Sequence, residues 1–522
     1  MSVAYTAAND RVPMFRVSLI LEALRARPAL MFWVAALAQG ALWTLVPALF
    51  YAAPPGDVPL VLAVGREWLL GSNFGPPLAY WLAEVAFKLA GQHIIGLYLL
   101  SQSCVVVAYW AVFTLWRRMV GAAHAAMAIL LMAGISAFTV PTLEFGPAVL
   151  AIPLTALALL FVYRALADNA RADWLALGLV LGLLLLTTEA GLILVGLIVL
   201  FVAATARGRS RLRSVGPWAA VAVVIAVNAP YLYWLQRSGV GLLAHPGVLP
   251  SLIVSEKRLM AWANLLLLLL FSHAGLVVLT LVAGGLFAGA RATAPAVERE
   301  PIEPFAKSFV YFFALAPAFV ATLLAVLFER RSPIGGAGPL VVLSGLVIVV
   351  AAGDIIRLYR QRISALVWLG LLVVPPMVIV AATVTLPWTA AVDLEVSKPA
   401  NAMGQFFTET FRRRTGKPLA IVIGDARTAG LVAFTSPDRP SLYVDGSPER
   451  APWLSDAAVA EKGAVVTWAA TDNADAPAAL KARFPDMVPE VPHSFDRSVQ
   501  GRLPLLRIGW AVIRPRGAQP AQ

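Results

Sequence analysis

Long unbroken apolar runs fill the first three-quarters of the chain, and short polar loops separate them. A helix needs about 20 apolar residues to cross the hydrocarbon core of a bilayer. Runs of that order begin near Pro28, Ile94, Gly121, Phe145, Trp174, Gly191, Val215, Leu259, Ser308, Gly338 and Ala365. The pattern predicts about eleven spans by this length criterion. The stretch around Thr187–Ala190 could instead belong to one longer span. After Trp388 the texture changes. Residues 389–522 hold 30 of the 70 charged residues and no run long enough to span. The expected architecture is therefore a polytopic α-helical membrane domain over residues 1–388 and a soluble α/β domain over residues 389–522.

Within that soluble part, short apolar runs at Leu419–Ile423, Leu431–Phe434, Leu442–Val444, Ala464–Trp468 and Leu505–Ile513 read as strands. Asn401–Arg414 reads as an amphipathic helix with Met403, Phe406, Phe407 and Phe411 on one face. The other long segment without a span is 52–93, which Pro54-Pro55-Gly56 and Gly75-Pro76-Pro77 punctuate. Between those breaks, Val58–Leu70 and Leu78–Leu89 are apolar at helical spacing but too short to span. They read as two helices lying in the membrane interface. Trp68, Tyr80 and Trp81 suit an aromatic belt at headgroup level.

Charge then orients the picture. Eighteen basic residues fall in alternate loops, among them Arg11, Arg16, Arg25, Arg27, Arg117, Arg118, Arg207, Arg209, Arg291 and Arg360. The opposite loops carry seven: Arg66, Lys88, Arg237, Lys257, Arg258, Arg330 and Arg331. Basic residues are retained on the cytoplasmic side. The N-terminus is thus expected inside, and an odd number of spans puts the C-terminal domain outside. The first apolar run starts well after Met1 and reads as a retained anchor rather than a cleaved signal. The chain is 60% hydrophobic and 13% charged, so its net charge of +12 reads as topology and lipid attraction rather than nucleic-acid binding. One cysteine, Cys104, excludes an internal disulfide and a cysteine metal cage. His93, His124, His245, His273 and His493 show no ligand spacing, so neither a metal nor another cofactor is expected.

Ionisable residues near the membrane each need a reason. Asp57 follows the first span on the outer side and suits a general base for an approaching hydroxyl. It also suits the N-cap of Val58–Leu70, and spacing alone favours the cap. Arg66, Glu67, Glu144, Glu189 and Tyr80 are candidates for a substrate cavity, with an Arg66–Glu67 salt bridge as the plainer reading of that pair. Lys257, Arg258, Arg330 and Arg331 are outer-face cations against the positive-inside trend. Arginines there suit a phosphate, or simply lipid headgroups.

The segment "GDVPLVLAVGREWLLGSNFGPPLAYWLAEVAFKLAG", followed by "GLYLLSQ", resembles the bacterial family 39 membrane glycosyltransferases. These have the GT-C fold and include aminoarabinose transferases, protein mannosyltransferase-like proteins and rhizobial galacturonosyltransferases. "PTLEFGPAVLAIPLTALALLFVYRAL", "DWLALGLVLGLLLLTTEAGLIL" and "NAPYLYWLQRSGVGLL" continue the likeness, and "GKPLAIVIGDARTAGLVAFTSPDRPSLYVDG" resembles the extracytoplasmic domain of some members. The resemblance implies a bacterial inner-membrane enzyme that moves a sugar from a polyprenyl-phosphate co-substrate to a lipid or glycan hydroxyl on the periplasmic face. Its partners would be membrane lipids, that donor and that acceptor. It implies that Asp57 is the base, which reverses the order given by spacing alone. Three positions depart from the family pattern: Leu60 where a second acid is common, Gly75 where a basic residue precedes Pro-Pro, and Glu189 where Lys is usual. Those departures leave a non-catalytic relative, binding lipid-linked glycan or scaffolding an envelope complex, as the alternative.

Overall fold

The computed structural model describes residues 26–239, 256–284, 296–357, 361–470 and 476–516. Arg11, Arg16, Arg25, His245, Arg291 and Arg360 lie outside the described residues. Each of the eleven apolar runs forms helix. Among the described residues, six helices are long and apolar enough to cross a bilayer: Pro28–Phe50, Ile95–Val120, Pro147–Asp168, Val215–Ser238, Pro304–Leu327 and Arg362–Thr389. Two bent pairs, Ala122–Met132 with Ser136–Leu143 and Glu256–Phe271 with Ala274–Ala283, bring the number to as many as eight. The remaining apolar helices, Arg171–Leu185, Gly191–Ala204 and Gly338–Ala351, are shorter. The chain breaks between Leu185 and Gly191, so the Thr187–Ala190 region joins two helices rather than sitting inside one.

Pro147–Asp168 is the central helix, with more than four-fifths of its apolar window buried. The Gln361–Thr389 helix lies at the periphery, where Leu366, Leu369, Val374, Met377 and Val378 are exposed. An apolar face of that extent belongs in hydrocarbon, and the chain is a multi-pass membrane protein.

The five strands of the C-terminal part are β1 (Ile421–Gly424), β2 (Ser441–Val444), β3 (Ala464–Ala469), β4 (Val488–Phe495) and β5 (Leu506–Ile513). They form one sheet in the order β2-β1-β3-β5-β4. β1 runs parallel to β2 and β3, while β5 is antiparallel to β3 and β4. The helix Ala400–Thr415 lays Met403, Phe407 and Phe411 on one face of the sheet. Leu431–Phe434, expected as a strand, is part of the helix Thr428–Thr435. That segment is buried on all sides, so it carries no period by which to tell strand from helix.

This unit is seated on the 52–93 segment of the helical part. Pro59 of the helix Val58–Arg66 meets Gly430, and Leu60 and Ala63 join the apolar cluster under the sheet. A buried anionic side chain at the contact is Glu84, on the helix Leu78–Leu89 and only 2% exposed. It accepts a 2.7 Å hydrogen bond from Arg439 Nη2 and pairs with Lys88 at 3.4 Å.

Candidate functional site

Asp57 stands just before the helix Val58–Arg66, which is four residues shorter than the pattern suggested. It occupies the N-cap position, yet its carboxylate makes no capping hydrogen bond and is exposed. The carboxylate is thereby left available to other chemistry. Gly56 holds φ +58°, a left-handed conformation that glycine adopts without strain. The Glu144 carboxylate lies directly over Gly56, and a Cβ there would overlap it. Two carboxylates from distant parts of the chain therefore share one patch.

Glu144 is held there by a polar network inside the membrane domain. Its loop follows the short 3-10 helices Ser136–Phe138 and Val140–Leu143. Gln39 Nε2 donates to the Phe138 carbonyl at 2.9 Å, and Tyr109 donates to Gln39 at 3.3 Å. Gln102 Nε2 donates to Thr142 Oγ1 at 3.0 Å, and Ser101 donates to the Thr142 carbonyl. These buried hydrogen bonds hold the loop in one geometry, although Gln102 Oε1 is left without a partner. Burial raises the Glu144 pKa, the like charges of Asp57 and Glu395 raise it further, and Arg427 opposes them. A carboxyl with a raised pKa costs stability when ionised, and that cost disappears as pH falls through the folded pKa toward the ordinary 4.5. Glu144→Gln should therefore melt higher than the native protein at neutral pH, with the gap closing on acidification. A Glu144→Gln protein that melts lower than the native one at neutral pH would show that Glu144 is instead stabilised as an anion.

Arg427 and Glu395 form an ion pair at this patch. Both belong to the C-terminal part, so that part contributes directly to the surroundings of Glu144. The linker also touches the Asp57 loop, because Ala52 N and Ala53 N both donate to the Val396 carbonyl, at 2.9 and 3.1 Å. Neither approach to the Asp57 and Glu144 loops could be anticipated from sequence, since the segments that meet there lie hundreds of residues apart.

The other candidates are distributed as follows. Tyr80 is buried rather than at headgroup level; its hydroxyl donates to the Phe74 carbonyl at 2.8 Å. Burial raises its pKa, and Asp57 adds to the rise. Trp81 donates to the Leu69 carbonyl at 3.0 Å, whereas Trp68 is exposed beneath Lys88. Gly65 lets the helices Val58–Arg66 and Leu78–Leu89 touch, since any Cβ there would strike the Tyr80 carbonyl. No salt bridge joins Arg66 to Glu67 among the described residues; Arg66 Nη1 and Glu67 Oε1 are buried without hydrogen-bond partners. Glu189 accepts from the Tyr231 hydroxyl at 3.5 Å. Arg258 pairs with Glu329 at 3.2 Å, and Lys257, Arg330 and Arg331 are exposed. The loop after Arg331 packs Gly335 on Ala190 and Gly336 on Ala148, so it borders the loops that carry Glu189 and Glu144. Among the described residues no three His, Cys, Asp or Glu side chains gather as a metal site.

Residues 75–234 match the family model for dolichyl-phosphate-mannose-protein mannosyltransferase. The matched segment contains Glu144 and Glu189 and begins after Asp57. The fold is similar to that of ArnT from Cupriavidus metallidurans bound to undecaprenyl phosphate, with TM-score 0.55 and 14% identity over 94% of this chain and 99% of that one. The same protein in the apo state gives TM-score 0.48 at 14% identity, over 94% of this chain and 99% of that one. AglB, the Archaeoglobus fulgidus oligosaccharyltransferase in complex with an inhibitory peptide and a dolichol-phosphate, superposes more loosely, with TM-score 0.42 and 13% identity over 81% of this chain and 65% of that one. No curated protein sequence matches. The chain has the GT-C fold.

Proposed function

We propose that this chain transfers a sugar from a polyprenyl-phosphate donor to a hydroxyl of a lipid or envelope glycan, on the periplasmic face of a bacterial inner membrane. The observation that carries the reading is an exposed, uncapped Asp57 carboxylate set beside Glu144 on an outer loop. Asp57 takes the proton of the acceptor hydroxyl as that oxygen bonds to the anomeric carbon. The bond from that carbon to the phosphate oxygen breaks, and polyprenyl phosphate leaves with the electron pair. Phosphate is a good leaving group, so one base and a few cations suffice, with no cofactor beyond the lipid-linked co-substrate.

Incubating the purified protein with labelled polyprenyl-phosphate sugars and envelope lipids tests this directly. Label should move to an acceptor in step with release of polyprenyl phosphate. Binding of the donor without any transfer would favour a non-catalytic relative. The specific observation on that side is Glu189, an anion beside Tyr231 where the family pattern has a cation. The orientation has its own test: a phosphatase reporter fused after Gln522 should be active, and a silent one would put Asp57 on the wrong side.

The donor phosphate is assigned to the outer arginines, Arg258 with Arg330 or Arg331, assisted by Lys257. Arginine matches phosphate with a bidentate fork that lysine lacks. Arg→Lys at these positions should lower donor affinity about tenfold or more while acceptor affinity holds, because a charge-assisted hydrogen bond is worth about 1.5–3 kcal/mol. Unchanged donor binding in all three Lys variants would move the assignment to Arg66 or Lys88.

A further inference from the structure

A cleft of about 430 Å³ opens between the outer loops of the membrane domain and the C-terminal part. That is within the usual size of small-molecule sites, roughly 300–1,000 Å³. Its membrane-side wall is Tyr51–Pro54 with Gln92 and His93; its opposite wall includes Asn401, Asp496 and Ser498. The wall Ala52–Pro54 runs straight into Gly56–Asp57, and the charge of Glu144 adds to the rise that burial gives the Tyr51 pKa. The cleft therefore abuts the carboxylate patch.

Its chemistry is distinctive. Among the described residues no Lys or Arg lines it, and Asp496 is the one carboxylate in its wall. Among the described residues, the side chains of Gln92, Asn401 and Asp496 make no hydrogen bond within the chain, although all three border the cleft. The first turn of the helix Ala400–Thr415 also faces it; Ala400 N–H there donates to the Lys398 carbonyl at 2.9 Å, which leaves the N–H groups of Asn401 and Ala402 as the first-turn donors without a partner within the helix. Amide, carboxylate and N–H groups held open in this way suit a ligand that both donates and accepts many hydrogen bonds. Phosphate or another anion would meet Asp496, with Glu144 nearby and, among the described residues, no Lys or Arg in the cleft to balance it.

We infer that this cleft holds the saccharide head of the acceptor, and that this head is an uncharged, hydroxyl-rich glycan rather than a phosphorylated one. The inference rests on the sugar-transfer reading for the word acceptor, but the binding itself is independent of turnover. The same head could belong to a glycolipid or to a free glycan.

Saturation-transfer NMR on the full-length protein in nanodiscs provides the test. The probes are the neutral oligosaccharide fraction of bacterial envelopes, the anionic fraction, and intact neutral glycolipid in vesicles. The neutral oligosaccharides should receive saturation from the native protein. Ala402→Trp, which fills the cleft from an exposed first-turn position, should weaken this by about tenfold or more, because the hydrogen-bonding groups can no longer be reached. Asn401→Ala, a smaller change that leaves the helix intact, should weaken it in the same direction. Binding by glycolipid but not by free oligosaccharide would identify a lipid-borne head and still support the cleft. Saturation of the anionic fraction alone, no saturation of any neutral probe, or equal binding by Ala402→Trp would each overturn the inference. Neutral-glycan binding without any label transfer would leave the cleft standing and remove the transferase reading instead.

Discussion

Asp57→Asn should abolish sugar transfer while leaving the fold intact. Asparagine has nearly the same shape and can cap a helix, but it cannot take a proton. Because the Asp57 carboxylate makes no capping bond and is exposed, little stability depends on it. The expected change in stability is within about 0.5 kcal/mol, as for an ordinary surface substitution. Loss of a positioned general base typically costs about 10²–10⁴ in rate. Turnover and melting temperature, measured on one preparation, check both halves. Near-native turnover in the Asn variant would return Asp57 to the role of an N-terminal residue with no chemistry.

The second large effect is expected at the seat of the C-terminal part. Arg439 lies between β1 and β2 with its guanidinium 4.6 Å above the Phe87 ring, and Phe87 in turn meets Phe434 edge-on. The side chains of Arg439 and Glu84 are 13% and 2% exposed, so solvent screens their 2.7 Å contact weakly. Burial pulls the Arg439 pKa down, Glu84 opposes that, and Arg66 nearby adds to it. Arg439→Ala would leave Glu84 buried with only the 3.4 Å contact of Lys88, whose own side chain is mostly exposed. Removing one member of a buried pair costs about 3–5 kcal/mol. The C-terminal part should then become sensitive to protease at concentrations that leave the native protein whole. Since Val396, Glu395 and Arg427 all touch the Asp57–Glu144 surroundings, transfer should fall with it. Full protease resistance in Arg439→Ala would show that the apolar contacts of Pro59, Leu60 and Ala63 suffice for docking.

Much of the helical scaffold was legible because a run of about 20 apolar residues has few other physical options. Leu78–Leu89 appears with the limits that Pro77 and the following Ala-Gly suggest. The helix that begins at Val58 stops at Arg66 because Trp68 takes a left-handed φ of +50°, which no residue pattern announces. β4 escaped notice because Pro489 and Pro492 argue against a strand; it is an edge strand, where proline is tolerated. The site divides in the same way. Asp57 is visible from its place after the first span. Its pairing with Glu144 depends on Gly56 and on a loop fixed by Gln39, Ser101 and Gln102, which are long-range contacts. Arg427 and Glu395 reach the patch only because the C-terminal part is seated on the helices Val58–Arg66 and Leu78–Leu89. Tyr80 looked interfacial because its ring is amphipathic, but its hydroxyl finds the Phe74 carbonyl and the side chain is buried.

The claim that Asp57 is where donor and acceptor meet is tested most directly by a cryo-EM structure of the Asp57→Asn protein in nanodiscs with a polyprenyl-phosphate sugar. The variant retains the site while blocking turnover, so the donor should be trapped. The account predicts the anomeric carbon beside residue 57 and Glu144, with the phosphate on the outer-face arginines. Donor density on the opposite side of the membrane, or with its sugar remote from the Gly56–Asp57 loop, would contradict it.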